Sequence, residues 1–262
     1  MTTDSVPLSM YDGIAGDVLG ADAGATGMYM LDHCASTMDV AHARAAAGAP
    51  HGFVVVAEEQ RAGRGRTGKT WVSGRGTGVW TSVVLRRTDM SPPGVLSLRI
   101  GLELAERLEV RSGRPLMLKW PNDVFLEGAK VAGILTEARW RGAALEWIVV
   151  GVGVNIAAAD TDVASAGLGA ACPRAAVLVD VVRAVLAAAS RTGELDGDEL
   201  ARYDLRDHAK GREVVAPREG LVLGITNRGG VVIRTNAGAA VAVAGSLVFR
   251  ERAEEQGHAA GV

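Results

Sequence analysis

Residues 116 to 156 read LMLKWPNDVFLEGAKVAGILTEARWRGAALEWIVVGVGVNI, and this segment predicts the central strands of the fold. Its first five residues, Leu116 to Trp120, form an apolar run typical of a short strand, and the proline that follows has no N–H with which to extend it. Glu127-Gly128 predicts a hairpin turn. Residues 131–140 and 145–156 are apolar and rich in β-branched side chains, so we expect two long strands at the centre of the chain.

Helical patterns lie on both sides of this stretch. Apolar residues recur every four positions, at Leu96, Ile100, Leu104 and Leu108. Because this spacing places side chains on one face of a helix, we expect a helix from Pro92 to Val110. Similar reasoning predicts strands at 28–33, 53–56 and 80–85, and helices at 38–47, 176–190 and 196–208.

The pattern changes at Gly211, where short apolar runs begin to alternate with turn-forming segments such as Asn236-Ala237-Gly238. The runs predict five short strands, at 212–216, 221–226, 231–235, 240–244 and 247–250. Strands this short and evenly spaced predict a small closed barrel, since closure removes exposed sheet edges.

Three segments follow from these patterns. Residues 1–27 are rich in Gly, Ala and Asp without a long period, so we expect a flexible leader. Residues 28–208 carry the strands and helices of a larger domain. Residues 209–262 carry the barrel.

The overall charge gives no general attraction to nucleic acid or membranes. The chain has 262 residues, with 28 Lys and Arg against 30 Asp and Glu, so its net charge is −2. Residues 1–13 lack the basic and apolar regions of a secretory signal, and charged residues interrupt the most apolar long stretch, 163–190. Cys34 and Cys172 lie far apart, which predicts reduced thiols, and the five histidines form no short-spaced zinc set. We therefore expect a cytoplasmic protein.

The strongest local signal is Gly63-Arg64-Gly65-Arg66-Thr67-Gly68. Glycines leave backbone amides accessible to an anion, and two arginines add permanently charged donors suited to carboxylate and phosphate. The segment is neither a P-loop nor a dinucleotide fingerprint, because no helix pattern follows it. Anion binding is our hypothesis, and a basic glycine-rich hairpin or an RNA-tolerant Arg-Gly patch is the alternative.

Three further segments present polar groups at strand ends. Lys119-Trp120-Pro121-Asn122-Asp123 offers a lysine, an amide and a carboxylate around a rigid turn. Lys130 enters an apolar strand just before the small pair Ala132-Gly133. Gly151-Val152-Gly153-Val154-Asn155 ends in an amide able to read the edge of a base. Each also has an ordinary structural explanation: a turn, a solvated lysine and a strand kink.

Taken in order, these motifs resemble the signature of the biotin protein ligases. The resemblance covers residues 28–250 and includes Ser36-Thr37 ahead of the first helix, and it departs at Met38, where the family often has Asn. It implies an α+β fold, with a class II synthetase-like mixed sheet and flanking helices followed by a small SH3-like β-barrel. It also implies the monofunctional type that lacks an N-terminal DNA-binding domain.

The resemblance implies an enzyme that adenylates biotin with ATP and Mg²⁺ and passes it to a lysine of a biotin carboxyl carrier protein domain. The implied catalytic residues are Arg64, Arg66, Asp123 and Lys130. Those implied around biotin are Ser36, Thr37, Gln60, Gly63, Arg64, Gly65, Arg66, Lys130 and Gly133. Those implied around ATP are Arg64, Arg66, Trp71, Lys119, Asn122 and Asn155. The ligands of the metal and the oligomeric state stay open.

Two alternatives remain beside this interpretation. A lipoate–protein ligase would share the catalytic fold and activate a similar acid. A non-catalytic protein would use the barrel for a partner and the Arg-Gly segment for RNA. The near-neutral charge and the lack of aromatic residues within 63–68 count against RNA. We expect no DNA partner, because about 27 residues precede the ligase-like pattern.

Overall fold

The computed structural model of the protein describes residues 5–86, 89, 91–161 and 164–250. As far as residue 85, the elements are β1 (Val6–Pro7), β2 (Met10–Tyr11), β3 (Ile14–Ala15), α1 (Gly16–Ala23), β4 (Gly27–His33), α2 (Thr37–Ala46), β5 (Phe53–Ala57), a 3-10 turn (Arg66–Gly68) and β6 (Gly78–Leu85). Those that follow, as far as residue 206, are α3 (Pro93–Ser112), β7 (Leu116–Lys119), β8 (Asp123–Leu126), β9 (Ala129–Arg141), β10 (Ala144–Asn155), α4 (Arg174–Ala189) and α5 (Gly197–Arg206). The last are β11 (Glu213–Ala216), β12 (Gly220–Ile225), β13 (Val231–Thr235), β14 (Gly238–Ala242) and β15 (Val248–Phe249).

A mixed eight-stranded sheet forms the centre, in the order β1-β4-β5-β6-β10-β9-β8-β7. β4 and β5 run parallel, whereas the other neighbouring strands run antiparallel. Successive residues of β5 point to opposite faces: Val55 packs with α2, while Val54 and Val56 pack with α3 and α4. Burial on both faces explains why the strand is a continuous apolar run. The expected α+β class with flanking helices is confirmed.

The stretch between residues 116 and 126 contains one more strand than the sequence predicted. β7 ends at Lys119, a turn of Trp120, Pro121 and Asn122 follows, and β8 returns so that Asp123 pairs with Lys119. The Trp120–Pro121 peptide is cis. Four residues are too few to show a strand period, which is why β8 was missed.

The flexible leader expected at 1–27 is wrong for residues 5–23. β1 pairs with β4, β2 and β3 form a small hairpin, and α1 packs against α4. Tyr11 is buried, and Arg174 lies over its ring at 4.7 Å while pairing with Asp12. The anchoring side chains are too widely spaced along the sequence to produce a periodic pattern.

The predicted C-terminal β unit is confirmed as a five-stranded antiparallel sheet, in the order β14-β13-β12-β11-β15. Several hydrogen bonds fasten it to the larger unit; among them, Trp120 Nε1 donates to Gly229 O at 2.9 Å, and Leu195 N donates to Asn227 O at 2.8 Å. The boundary at residues 208 and 209 stays a prediction. In the described part of the chain, no helix combines the length and apolarity needed to cross a membrane.

A buried ion pair joins α3 to α5. Arg99 and Glu199 are 3% and 1% exposed, and Arg99 Nε donates to Glu199 Oε1 at 2.7 Å. Arg99 also donates to Gly193 O at 3.2 Å and to Ser91 Oγ. Burial by itself raises the pKa of Glu199, but the hydrogen bonds from Arg99 and from the backbone of Asp196 outweigh it and hold that pKa below its ordinary value.

Replacing Glu199 with Gln should lower the free energy of unfolding by about 3 kcal/mol, because it leaves the Arg99 guanidinium buried without its counter-charge. Urea denaturation measures this. Asp198→Asn is the matched control on the same helix turn, where the carboxylate is 73% exposed and the expected loss is under about 0.5 kcal/mol. Equal losses in the two variants would contradict a structural role for the pair.

Candidate active site

A cavity of about 270 Å³ opens on the face of β9 and β10 that α2 also approaches. Its walls come from the start of α2, the segment 63–70, the turn after β7, and residues 246–248 of the C-terminal sheet. We call residues 63–70 the arginine loop. All the predicted site residues except Gly63 line this cavity: Ser36, Thr37, Gln60, Arg64, Gly65, Arg66, Trp71, Lys119, Asn122, Asp123, Lys130, Gly133 and Asn155.

One end of the cavity carries hydroxyl and amide groups. Thr37 donates from both its backbone N and its Oγ1 to Gln60 Oε1, at 2.8 and 3.0 Å. Gln60 Nε2 in turn donates to Ser73 Oγ at 2.8 Å. Ser36 caps α2 by accepting from Met38 N at 3.3 Å. These bonds fix the amide orientation of Gln60 and hold a mixed donor and acceptor surface at the helix start.

The arginine loop folds back on itself. Trp71 N donates to Gly63 O at 2.9 Å, and Gly65 N donates to Lys69 O at 2.7 Å. A Cβ on Gly63 would lie 2.4 Å from Trp71 O, so this glycine permits a close backbone approach. Gly63 therefore shapes the loop from outside the cavity.

The two arginines of the loop have different surroundings. Arg66 is half-buried, and its Nη1 donates to Asn122 Oδ1 at 3.4 Å. Burial lowers the pKa of Arg66, and the nearby charge of Asp123 opposes that shift. Arg64 instead pairs with Asp39 and Glu137, both of which lie outside the predicted set.

Lys130 lies at the centre of the cavity wall. Its Nζ is 2.6 Å from Asp123 Oδ1 and 5.0 Å from the centre of the Trp71 ring. Asp123 Oδ1 nevertheless receives no hydrogen bond of proper geometry, so the contact is an ion pair without hydrogen-bond alignment. The lysine and the carboxylate both keep capacity for a further partner.

Lys119 lies between two aromatic rings. Its Nζ is 5.5 Å from the centre of Phe125 on β8 and 4.9 Å from that of Phe249 on β15. Burial lowers the pKa of Lys119, Asp123 opposes the shift, and Lys130 adds to it. The site therefore gathers several cations around one carboxylate.

Glycines of β9 and β10 form the floor of the cavity. Gly133 pairs with Gly153 across the two strands, and the Trp71 ring lies on both. A Cβ on Gly153 would lie 2.5 Å from Trp71 Cε2 and Nε1, and one on Gly151 would lie 2.6 Å from Met38 Sδ. The flat floor exists because these positions carry no side chain.

Asn155 ends β10 at the same face. Its Nδ2 donates to Ser165 Oγ at 3.0 Å, whereas its Oδ1 is buried and has no hydrogen-bond partner. The Nε1 atom of Trp71 is also buried without a partner. Buried polar atoms usually have hydrogen-bond partners, so these two are positions at which a ligand can form hydrogen bonds.

Sequence reasoning missed several lining residues. They are Met38, Thr67, Lys69, Thr70, Val72, Thr81, Phe125, Ile134, Leu135, Gly151, Val152, Gly153, Ala159, Thr161, Ala164, Ser165, Ser246, Leu247 and Val248. Gly151 and Gly153 lie in a motif already singled out, and their period of two was the available signal. Ser246 to Val248 carried none, since no local pattern places the C-terminal sheet over the cavity.

The chain is similar to proteins of known family and structure. Residues 32–155 match the model of the Biotin/lipoate A/B protein ligase family. The matched range contains all of the predicted site residues, from Ser36 to Asn155.

Proteins similar to this chain include two from bacteria. The bifunctional ligase/repressor BirA of Bacillus spizizenii is 36% identical over 126 residues, 48% of this chain and 39% of that protein. The biotin–[acetyl-CoA-carboxylase] ligase of Mycobacterium tuberculosis is 37% identical over 152 residues, 56% of this chain and 55% of that protein. The aligned part is therefore less than two thirds of either relative.

The fold extends the likeness beyond residues 32–155. The biotin protein ligase of Aquifex aeolicus, solved with biotin and ATP, superimposes with a TM-score of 0.72 at 24% identity. The match covers 87% of this chain and 100% of that one. It supports the expected architecture, including the C-terminal sheet.

No group of three or more His, Cys, Asp or Glu side chains in the described ranges is arranged as a metal site. Cys34 and Cys172 are both buried free thiols, and burial raises the pKa of Cys34 to about 12. Asp123 is the carboxylate that lines the cavity.

Replacing Gly153 with Ala should push the Trp71 ring off the floor of the cavity. We expect an altered near-UV circular dichroism spectrum and a loss of about 1–3 kcal/mol in unfolding free energy from overpacking. Gly94→Ala on α3 is the control, since no atom lies within 4 Å of the added Cβ. It should be neutral or stabilise by up to about 1 kcal/mol. An unchanged spectrum in Gly153→Ala would contradict the packing of Trp71 on Gly153.

Proposed function

We propose that the protein is a biotin–protein ligase. A biotin carboxylate oxygen attacks the α-phosphorus of MgATP, pyrophosphate leaves, and biotinyl-AMP forms. The deprotonated amine of an acceptor lysine then attacks the acyl carbon, an amide bond forms, and AMP leaves. The observation that carries this proposal is the single cavity in which a hydroxyl–amide end adjoins Arg66, Lys119 and Lys130.

Biotin fits the end formed by Ser36, Thr37 and Gln60. A ureido ring has both donors and acceptors, and these side chains offer both in a fixed arrangement. Gly133 makes room for the Trp71 ring that borders the cavity, and Gly63 and Gly65 keep the arginine loop close. The carboxylate would then extend towards the cations.

Two anions must approach each other in the first step, so positive charge has to be supplied between them. Arg66 and Lys130 face the cavity and are the groups we assign to the carboxylate and the α-phosphate. Arg64 belongs to the same loop but contributes mainly by holding it, since its guanidinium pairs with Asp39 and Glu137. A magnesium ion bound to ATP would screen the charge of the leaving pyrophosphate.

The nucleotide fits the wall formed by Trp71, Asn122, Lys119 and Asn155. Asn155 Oδ1 is a buried acceptor without a partner, which suits an exocyclic amine of a purine. The indole of Trp71 offers a surface on which a base can stack. Lys119 and Asn122 border the same space and suit phosphate or ribose oxygens.

Asp123 is placed to serve the second step. An acceptor lysine has a pKa near 10.4 in water and must lose a proton before it attacks. The Asp123 carboxylate, already within 2.6 Å of one ammonium group, is suited to orient a second amine or receive its proton. The acceptor we propose is a biotin carboxyl carrier domain, as the name of the Mycobacterium tuberculosis relative suggests. Two free buried thiols favour a reducing compartment, the cytoplasm.

ATP–pyrophosphate exchange tests the function directly. We expect label from pyrophosphate to enter ATP when biotin is present, and not when lipoate replaces it. Exchange with lipoate but not with biotin would favour a lipoate ligase, which belongs to the same family. No exchange with either acid would contradict both.

Replacing Lys130 with Met should slow adenylate formation by about 30- to 1,000-fold, because it removes one charge-assisted contact between two anions. Methionine retains most of the apolar stem, so the fold should remain. Single-turnover formation of biotinyl-AMP measures the rate. Lys210→Met is the control: that lysine forms an exposed ion pair with Asp204 away from the cavity. A wild-type rate in Lys130→Met would contradict the assignment.

A further inference from the structure

Arg64 ties the arginine loop to two separate elements. Its Nη1 donates to Asp39 Oδ1 at 2.5 Å, and its Nη2 donates to Glu137 Oε2 at 3.3 Å. Asp39 lies in the first turn of α2, and Glu137 lies on β9. One guanidinium therefore spans from the helix that begins at the hydroxyl–amide end to the strand that carries the floor.

A second layer fixes Glu137. His42 Nε2 lies 3.0 Å from Glu137 Oε2, and Trp147 Nε1 donates to His42 Nδ1 at 3.0 Å. Because an indole N–H only donates, Nδ1 must accept, and the neutral ring carries its proton on Nε2 and donates it to Glu137. The carboxylate thus has a fixed orientation before Arg64 reaches it.

The backbone hydrogen bonds of the arginine loop join it to itself, so another contact has to hold it in place. Its backbone bonds, from Trp71 N to Gly63 O and from Gly65 N to Lys69 O, close the loop on itself. Its other described tie across the cavity is the long contact between Arg66 and Asn122, at 3.4 Å. Glycines at 63, 65 and 68 make the segment easy to deform.

We propose that Asp39 and Glu137 are positioning residues that act through Arg64 to hold the arginine loop over the cavity. This inference rests on the proposed function, since its consequence is retention of the acyl-adenylate between the two steps. Neither carboxylate touches the reacting atoms. They keep the loop down while the intermediate awaits its acceptor.

The expected effect is modest because the pairs are half-exposed. The side chains of Arg64, Asp39 and Glu137 are 39%, 45% and 37% exposed. Loss of one such pair should speed escape of biotinyl-AMP by about 2- to 5-fold, and loss of both by about 5- to 20-fold. A surface ion pair that does not hold the arginine loop would change the escape rate of biotinyl-AMP by less than about 1.5-fold.

The experiment measures escape of preformed biotinyl-AMP from full-length Asp39→Asn, Glu137→Gln and the double variant, with labelling of bystander albumin as a second readout. Asp39→Glu should restore retention, since it preserves the charge. Asp22→Asn is the matched control: Asp22 forms an exposed ion pair with Arg183 at 2.7 Å on the α1–α4 side. It should leave escape unchanged, and melting temperatures identify any general loss of stability.

A mutant cycle decides whether the carboxylates act through Arg64. In an Arg64→Gln background, Asp39→Asn and Glu137→Gln should add less than about 1.5-fold to escape. Equal effects in both backgrounds, or wild-type escape in the double variant, would overturn the proposal. ATP–pyrophosphate exchange by the wild-type protein with biotin tests the proposed function. Escape of biotinyl-AMP from the variants tests the anchor, so the two failures give different results.

Discussion

The cavity depends on the contact between Trp71 and the glycine pair Gly133 and Gly153. A side chain at either position would collide with the indole, because the built Cβ atoms lie 2.8 and 2.5 Å from its ring atoms. The segment around Trp71 could not then lie against the sheet, and the arginine loop, which is fastened from Trp71 N to Gly63 O, would be displaced with it. Because Gly133 and Gly153 carry no side chain, Trp71 lies close to the sheet. Its position sets the depth of the cavity and the distance of the arginine loop from the floor.

The described residues that line the cavity carry a net positive charge. Arg66, Lys119 and Lys130 line it, against the carboxylate of Asp123. Burial in the cavity wall lowers the pKa of both Arg66 and Lys119, and the positive charge of Lys130 adds to the shift of Lys119. Two buried polar atoms, on Trp71 and Asn155, are also without partners. The cations of the cavity therefore favour a ligand that carries negative charge and can form hydrogen bonds with these two atoms.

The sequence predicted the strands and helices of the sheet because their apolar periods are long and regular, as in Leu96 to Leu108. It also predicted the cavity-lining residues carried by compact motifs. It did not predict β8, whose four residues show no period, or the ordered segment 5–23, which is fastened through Tyr11 and Arg174. It gave no sign that Arg64 pairs with Asp39 and Glu137, which lie 25 and 73 positions away. Side-chain partners across such separations depend on packing, which local patterns do not encode.

The boundary between the two units is a boundary in sequence more than in the site. Phe249, from the last strand, faces Lys119 on one side and Arg212 on the other, at 4.9 and 3.6 Å. His208 stacks on Phe125 at 4.8 Å and meets Phe249 edge-on at 5.7 Å. Burial lowers the pKa of both Lys119 and His208, and the positive charges of Lys119 and Arg212 reinforce the shift of His208. The C-terminal sheet therefore sets the electrostatic environment of a cavity-lining lysine, and its hydrogen bond from Trp120 to Gly229 keeps that environment in register with the turn that carries Asp123.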